Sequence, residues 1–170
     1  MALLPESWPQ AGDMQRHPLD NLPEFVAASR LTIASARREL VIQAPDLDPA
    51  VLSDAGICAA LQAFLLQSRH ARIRLLLNSA DNTHGSHRFI TLARRLPSYV
   101  QLLRAQPEDQ APACWLLADQ RTLVWRPQFR RYTAGYACAD AALPARTLLR
   151  DFNERWERGQ PEPQLRQLHL

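Results

Sequence analysis

Short apolar runs alternate with amphipathic segments over the first part of the chain. The runs predict strands at residues 40–44, 73–77 and 99–103. Apolar residues at helical spacing predict helices that begin at Asp20, at Gly56 and at either Asp81 or Thr83. Alternating strands and helices are typical of βαβ units, so this part of the chain is predicted to form a parallel sheet.

The pattern changes after a polar, Pro-containing loop. Further strands are predicted at residues 114–118, 122–125 and 131–138. The first two of these are joined by a turn at Asp119-Gln120 and therefore predict a hairpin. Asp140 and Gly159 are placed to cap the two ends of a last amphipathic helix.

The predicted fold is α/β, a mixed, largely parallel sheet with helices on both faces. A length of 170 residues fits a single domain. We predict an extended lead-in at residues 1–19, an α/β domain at 20–159 and a tail at 160–170.

The composition narrows the chemistry that the chain can perform. All 20 basic residues are Arg, which excludes a Lys Schiff base, a Lys general base and a P-loop Lys. The cysteines at 58, 114 and 138 lack CxxC or Cys/His zinc spacing, so we predict buried thiols, no metal and no cofactor.

The N-terminal residues and the hydropathy of the chain bear on its location. The chain begins without a basic region followed by a long apolar run, and no stretch matches a membrane span. We therefore predict a soluble cytoplasmic protein.

The basic residues bear on source and partner. The use of Arg without Lys suggests a bacterial, GC-rich genome. The net charge of +3 gives weak support for nucleic-acid binding.

The hairpin and the last helix carry the most specific sequence features. These are Pro112-Ala-Cys114-Trp-Leu-Leu-Ala-Asp119 and Phe152-x3-Trp156. They resemble the second half of a phospholipase D repeat, in which a strand carries His-x-Lys-x4-Asp and a closing helix ends in Phe-x3-Trp. Weaker likenesses follow in the same order at residues 34–42, 72–78 and 115–124. The chain is therefore similar to one repeat of the phospholipase D (HKD) superfamily over about residues 20–158.

The resemblance implies lost chemistry as well as a fold. In active members one His forms a phosphohistidine, a second His protonates the leaving group, and Lys residues neutralise phosphate oxygens. Here Pro112 stands at the His place and Cys114 at the Lys place, while Asp119 is retained where turn chemistry also explains it. Val124 is followed by Trp-Arg-Pro-Gln instead of the usual Gly-Ser-x-Asn. We therefore predict a degenerate single repeat with no catalytic residue.

The resemblance also bears on assembly. Single-repeat members of the superfamily pair about a two-fold axis and build one cleft from two subunits. A degenerate repeat can keep that pairing surface after the chemistry is lost, so we predict a homodimer.

Two histidines are candidates for replacement chemistry. His84 and His87 are three residues apart near the start of the third predicted helix, where anions are favoured. The first interpretation is functional: the pair forms a phosphate site or a metal site, or supplies a relocated nucleophile. The second interpretation is that they are exposed polar residues in a first helical turn. The second interpretation is favoured because such pairs are common and no carboxylate at ligand spacing accompanies them, apart from Asp81.

A basic segment interleaved with aromatic residues is a second candidate. It contains Arg126, Arg130 and Arg131 beside Trp125, Phe129 and Tyr132. Arg next to aromatic rings suits phosphate and base binding, and it equally suits a protein interface. The remaining alternative is a loop whose aromatic side chains pack inward and whose Arg side chains are solvated.

Polar residues also follow two of the predicted parallel strands. Asp46 and Asp48 flank Leu47 after the first strand, and Asn78 follows the second. Ligands of open α/β sheets bind beyond the carboxyl ends of the strands, so Asp46 and Asn78 are predicted to line a residual pocket. Turn and cap roles explain the same residues equally well. Cys114 as a nucleophile would need an activating base, and none is near it in sequence.

Three hypotheses for function follow. The favoured one is a catalytically inactive binding or scaffolding domain whose partner is a protein or a small anionic ligand. The second is a nucleic-acid or phosphate-ligand binder that uses residues 126–131. The third is a phosphodiesterase with relocated chemistry, which requires His84 and His87 to converge with Arg126 in one cleft.

Overall fold

The computed structural model describes residues 4–79 and 87–162. The described helices are α1 (Leu22–Ser35), α2 (Pro49–Leu52), α3 (Ala55–Leu66), α4 (Arg88–Arg95) and α5 (Ala142–Arg158). The described strands are β1 (Arg16–Pro18), β2 (Glu39–Gln43), β3 (Arg72–Leu77), β4 (Val100–Arg104), β5 (Cys114–Ala118), β6 (Thr122–Arg126) and β7 (Tyr136–Cys138). A single 3-10 turn, Pro107–Asp109, lies between β4 and β5.

The strands form one mixed sheet in the order β1-β7-β6-β5-β2-β3-β4. The parallel part consists of β2, β3 and β4, which are linked by helical crossovers. The remaining neighbours pair antiparallel, including the predicted β5–β6 hairpin. The predicted α/β architecture with a mixed sheet is thus confirmed. Two of the six described pairings are parallel, so the sheet is less parallel than predicted, because β5 turns back beside β2 and leads into an antiparallel hairpin.

Helices cover both faces of this sheet, and each face has its own apolar core. Leu40 and Leu75 point to the face that carries α3 and α4, whereas Val41 and Leu76 point to the face that carries α5. Period-two alternation explains the division, because successive side chains of a strand point to opposite faces. Phe152 of α5 is fully buried against its face of the sheet.

Two predicted helix caps are wrong by one residue. The N-cap of α1 is Asn21, whose Oδ1 accepts a hydrogen bond from the Glu24 backbone N–H at 3.0 Å, instead of Asp20. The N-cap of α5 is Ala141 instead of Asp140, and no side chain caps that end. In the first case Asn21 is a cap residue as good as Asp20, and the sequence alone does not rank them.

The predicted strand at residues 131–138 is too long. Only Tyr136–Cys138 pairs with β6, and the preceding residues form a loop. This loop is held by a hydrogen bond from the Phe129 N–H to the Pro112 carbonyl at 2.8 Å, and it crosses the carboxyl end of β2. A contact between two separate segments of the chain overrides the local strand pattern in this way.

The segments predicted as lead-in and tail contribute ordered contacts. Arg16–Pro18 pairs with β7 as an edge strand, and the Trp8 side chain is 3% exposed. At the other end Gln160 forms a bridge with Arg104, beside the edge strand β4. The proposed third-helix caps Asp81 and Thr83 lie outside the described residues.

Within the described ranges, no helix is both long and apolar enough to cross a membrane.

Candidate functional site

Four strands have one of their ends at the carboxyl edge of the sheet, where the parallel strands finish. β2 and β3 end there, β5 begins there, and β6 ends there. This edge collects polar side chains from segments that are far apart in sequence. They are Asp46, Asp48, Asn78, Cys114 and Arg126. The placement of Asp46 and Asn78 beyond parallel strands follows the geometric rule used to select them.

Asp48 lies at the centre of this edge and is 4% exposed. Its backbone and that of Leu47 have positive φ values, 39° and 67°. The turn is stabilised locally, because the Asp48 N–H donates to Asp46 Oδ1 at 2.9 Å. Asp is among the few residues other than Gly that enter this region readily, and Pro49 then begins α2 at its favoured first position.

Arg126, the last residue of β6, forms a bidentate ion pair with Asp48. Its Nη1 donates to Asp48 Oδ2 at 3.1 Å, and its Nη2 donates to Asp48 Oδ1 at 2.9 Å. The side chains are 4% and 5% exposed, respectively, so both charges are removed from water. Nη2 also donates to the Phe129 carbonyl at 2.8 Å. Pairing and additional hydrogen bonds are what make a buried charge tolerable.

Aromatic rings enclose the Arg126 guanidinium. Its central carbon lies 4.4 Å from the Tyr132 ring centroid and 5.5 Å from that of Phe25. The Tyr132 hydroxyl donates to Asp48 Oδ1 at 2.6 Å. Burial, followed by the nearby Asp48 carboxylate, raises the pKa of Tyr132, so the phenol remains a donor.

Cys114 completes the cluster as a neutral thiol. Its Sγ donates to Asp48 Oδ2 at 3.6 Å. Burial, with a smaller contribution from the Asp48 carboxylate, raises the pKa of Cys114 well above its ordinary range. A protonated, buried thiol is a poor nucleophile. We refer to Asp48, Arg126, Tyr132 and Cys114 as the carboxyl-edge cluster.

The space around the carboxyl-edge cluster is almost filled. The cavity lined by Asp48, Cys114 and Arg126 has a volume of about 20 Å³. A single water needs roughly 10–15 Å³ by this type of measure. The cavity therefore has no room for a phosphodiester group.

His87 approaches the same edge but is buried and neutral. It is 5% exposed, which contradicts the prediction of an exposed first-turn residue. Its Nε2 lies 3.0 Å from the Leu47 carbonyl, so Nε2 carries the proton and donates. Burial lowers the pKa of His87, and the Asp48 and Asp46 carboxylates oppose this only in part. His87 is the N-cap of α4, and its contact with the Leu47 carbonyl, 40 residues earlier in the chain, explains why it is buried instead of exposed in a first helical turn.

The other candidate residues have separate environments. Asn78 Nδ2 donates to the Ala111 carbonyl at 3.2 Å. Burial raises the pKa of Asp46, while the hydrogen bond from the Asp48 N–H lowers it in part. Arg130 and Arg131 are exposed on the loop after β6. They are therefore not part of the carboxyl-edge cluster that Arg126 joins.

His84 lies outside the described residues. Its predicted convergence with His87 and Arg126 is not addressed by the described structure.

The positions aligned with the motif by resemblance fall in three environments. Pro112 is exposed just before β5, and Cys114 is buried at its start. Asp119 has a positive φ in the hairpin turn and accepts three backbone N–H groups at 2.8–3.0 Å. These donors belong to residues 37–39, so Asp119 fastens the hairpin to the connection between α1 and β2.

Sequence reasoning underestimated Asp48 and Tyr132. Both had been noticed, but neither was selected as a candidate site residue. Asp48 had one usable signal, since an Asp-x-Asp-Pro sequence after a buried strand fits a left-handed turn before a helix. Its pairing with Arg126, 78 residues away, had no local signal.

A metal site is not formed by the described side chains. Within residues 4–79 and 87–162, no group of three or more His, Cys, Asp or Glu side chains converges to hold an ion.

Comparison with solved structures identifies the class of fold as phospholipase D-like. TrmBL2, described as an archaeal chromatin protein with a novel mode of DNA binding, matches at TM-score 0.63 and 11% identity. NucT from Helicobacter pylori matches at TM-score 0.62 and 9% identity, and phosphatidylserine synthase from Haemophilus influenzae Rd KW20 at 0.60 and 13%. The matches cover 89%, 88% and 82% of this chain, respectively.

The chain corresponds to different shares of these neighbours. It spans 56% of TrmBL2, 100% of NucT and 36% of the synthase. The chain belongs to the family described as domain of unknown function DUF7931, whose model matches residues 22–168. Comparison with curated proteins found no match.

The buried His87 predicts a specific loss of stability in acid. Because its folded-state pKa is lowered from 6.5, the unfolded chain binds a proton first as the pH falls through that value. The free energy of unfolding of the wild type should therefore fall relative to that of His87→Gln as the pH is lowered from neutral to mildly acidic. Urea unfolding at several pH values measures this difference.

The exposed His70 supplies the control for that experiment. His70→Gln should retain the pH dependence of the wild type. The account of His87 is contradicted when the wild type and His87→Gln lose stability in parallel over the same pH range.

Proposed function

We propose that this chain is a catalytically inactive phospholipase D-like domain that acts by binding, as a homodimer, with a protein or a small anionic ligand as partner. One observation carries the proposal. The buried Asp48–Arg126 ion pair fills the sheet edge at which Cys114 stands in the place that the family resemblance assigns to the catalytic Lys.

The chemistry of the superfamily needs groups that the carboxyl-edge cluster does not supply. Pro112 has neither a nucleophile nor a proton to donate, and the Cys114 thiol is neutral and buried. Arg126 does bring a positive charge, but the Asp48 carboxylate neutralises it at 2.9 Å. An oxyanion is stabilised by donors that it can reach, whereas the Arg126 Nε–H that has no partner is buried, and both Nη atoms already donate to Asp48.

The environment of His87 argues against a relocated nucleophile. The ring is buried, and its Nε2 proton is held by the Leu47 carbonyl. Its Nδ1 has no hydrogen-bond partner and no exposed surface. A histidine that attacks phosphorus must reach the substrate, and this nitrogen faces protein instead of solvent.

The homodimer is proposed because the chain has the phospholipase D-like fold. The described sheet and both of its helical layers follow the phospholipase D-like fold, so the surface that pairs in single-repeat members has a scaffold here. Selection for binding would retain that scaffold after the catalytic groups were lost. Asp119 supports the same scaffold, because its three hydrogen bonds are structural and do not depend on catalysis.

Activity and mass together test this proposal. The purified protein should not hydrolyse bis-p-nitrophenyl phosphate above the buffer rate, and light scattering should give twice the chain mass of 19.3 kDa. Hydrolysis that disappears in His87→Ala or His84→Ala would contradict the inactive domain. A mass equal to that of the monomer would contradict the homodimer.

Nucleic-acid binding is a second candidate function, favoured by the loop after β6. Arg130 and Arg131 are exposed, and the Arg130 guanidinium lies 5.1 Å from the centroid of the Phe129 ring. Guanidinium groups beside aromatic rings suit phosphate contact and base stacking. TrmBL2, which shares the fold, is described as binding DNA.

A salt titration tests the second candidate. The affinity for labelled DNA or RNA should fall with salt, and Arg130→Gln/Arg131→Gln should reduce the slope by roughly 1.4–1.8, the loss of two phosphate contacts. Arg146→Gln/Arg150→Gln removes the same charge from exposed positions on α5 and should leave the slope unchanged. Equal slopes for the two double variants, or no binding at low salt, would exclude this role for the loop.

A further inference from the structure

A groove between α3 and α4 lies outside the carboxyl-edge cluster. Its volume is about 430 Å³, within the range of roughly 300–1,000 Å³ typical of small-molecule sites. Cys58 and Gln62 line it from α3, and Arg88, Thr91 and Arg95 line it from α4. The groove is thus lined by polar and cationic side chains from two helices, together with Ala55, Ala59 and Leu92.

The two arginines are placed to act together. Arg88 and Arg95 are seven residues apart in the same helix, which brings them to one face about 10 Å apart along the axis. Arg88 Nη1 donates to the Ser53 carbonyl at 2.7 Å, which fixes the side chain and leaves its other N–H groups available. One cation therefore stands towards each end of the groove.

Among the described residues that line the groove, none is an acidic partner for its positive charge. Elsewhere in the described chain, Arg126, Arg155 and Arg158 each form an ion pair with an Asp. Asp54, at the start of α3, accepts the Ile57 N–H at 3.0 Å with its Oδ2 and lies close enough to add to the rise that burial causes in the pKa of Cys58, so one nearby carboxylate faces the two arginines. The electrostatic balance of the groove therefore favours an anion.

We propose that the α3–α4 groove binds a small ligand that carries more than one phosphate group, held by Arg88 and Arg95. Guanidinium groups match phosphate oxygens in a bidentate manner, and two cations separated along a helix suit a ligand with more than one anionic group. The Gln62 amide and the Thr91 hydroxyl supply neutral hydrogen bonds between them.

The groove gives the small anionic ligand of the proposed function a site, at residues that the tests of that proposal do not change. It contains neither the carboxyl-edge cluster nor the Arg130–Arg131 loop, and it does not require a homodimer. Failure of one proposal leaves the other intact, because the two are tested by different variants.

The labelling rate of the Cys58 thiol can report ligand binding in the groove. It lines the groove and is partly exposed, whereas Cys114 and Cys138 are buried. Burial raises the pKa of Cys58 to about 11, so labelling with a methanethiosulfonate reagent is followed under mildly alkaline conditions. Mass spectrometry of the Cys58 peptide then reports the modification rate with and without ligand. Tripolyphosphate and a short oligothymidylate are the probes.

Tripolyphosphate should slow the labelling of Cys58 in a saturable manner. Arg88→Gln/Arg95→Gln should weaken this protection at least about tenfold, because the double substitution removes both cations that would pair with the phosphate groups. Arg95→Gln alone should also weaken it while the Arg88–Ser53 contact is kept, which guards against a folding defect. Arg146→Gln/Arg150→Gln, with the same loss of charge on α5, should change it less than about twofold.

The two probes distinguish the source of the phosphate groups. Protection by tripolyphosphate alone indicates a free oligophosphate or nucleotide, and protection by both indicates that a nucleic-acid strand can also supply them. The proposal is overturned by protection from neither probe. It is overturned equally by protection that survives Arg88→Gln/Arg95→Gln, or that the α5 control variant weakens to the same extent.

Discussion

The buried ion pair between Asp48 and Arg126 is the constraint on which the carboxyl end of the sheet depends. It joins the turn after β2 to the end of β6, and the Tyr132 hydroxyl and the Cys114 thiol both donate to the same carboxylate. A buried charge without a partner costs several kcal/mol, so these segments must be in place together. The left-handed backbone at Asp48 and the loop after β6 both serve this pairing.

The ion pair determines what the carboxyl edge of this sheet can offer to a ligand. The chain has a phospholipase D-like sheet with helices on both faces, and the edge at Pro112 and Cys114 is filled by a neutralised guanidinium. A fold can host many functions, and function has to be argued from the site. A binding role is therefore proposed for two surfaces. They are the exposed arginines of the loop after β6 and the α3–α4 groove.

Local patterns predicted the elements, and long-range contacts decided the site. The β5–β6 hairpin and the strands β2 to β4 follow from apolar runs and turn residues that lie next to one another in sequence. The buried His87 and the partner of Arg126 depend on contacts across 40 or more residues, His87 to Leu47 and Arg126 to Asp48. The shortened β7 follows from the loop that the Phe129–Pro112 hydrogen bond holds. Single-sequence patterns do not encode which distant residues meet, so these features were missed or misplaced.

The free energy of unfolding of Asp48→Asn tests the central claim most directly. Asn keeps the shape of the side chain and tolerates a positive φ, but it removes the charge and replaces one of the two acceptor oxygens with an NH2 donor. Chemical denaturation should show a loss of about 3–5 kcal/mol, because Arg126 is left buried without its counter-charge. Glu154→Gln, which removes a charge from an exposed position on α5, should change stability by less than about 0.5 kcal/mol. Equal stability of Asp48→Asn and the wild type would contradict the account.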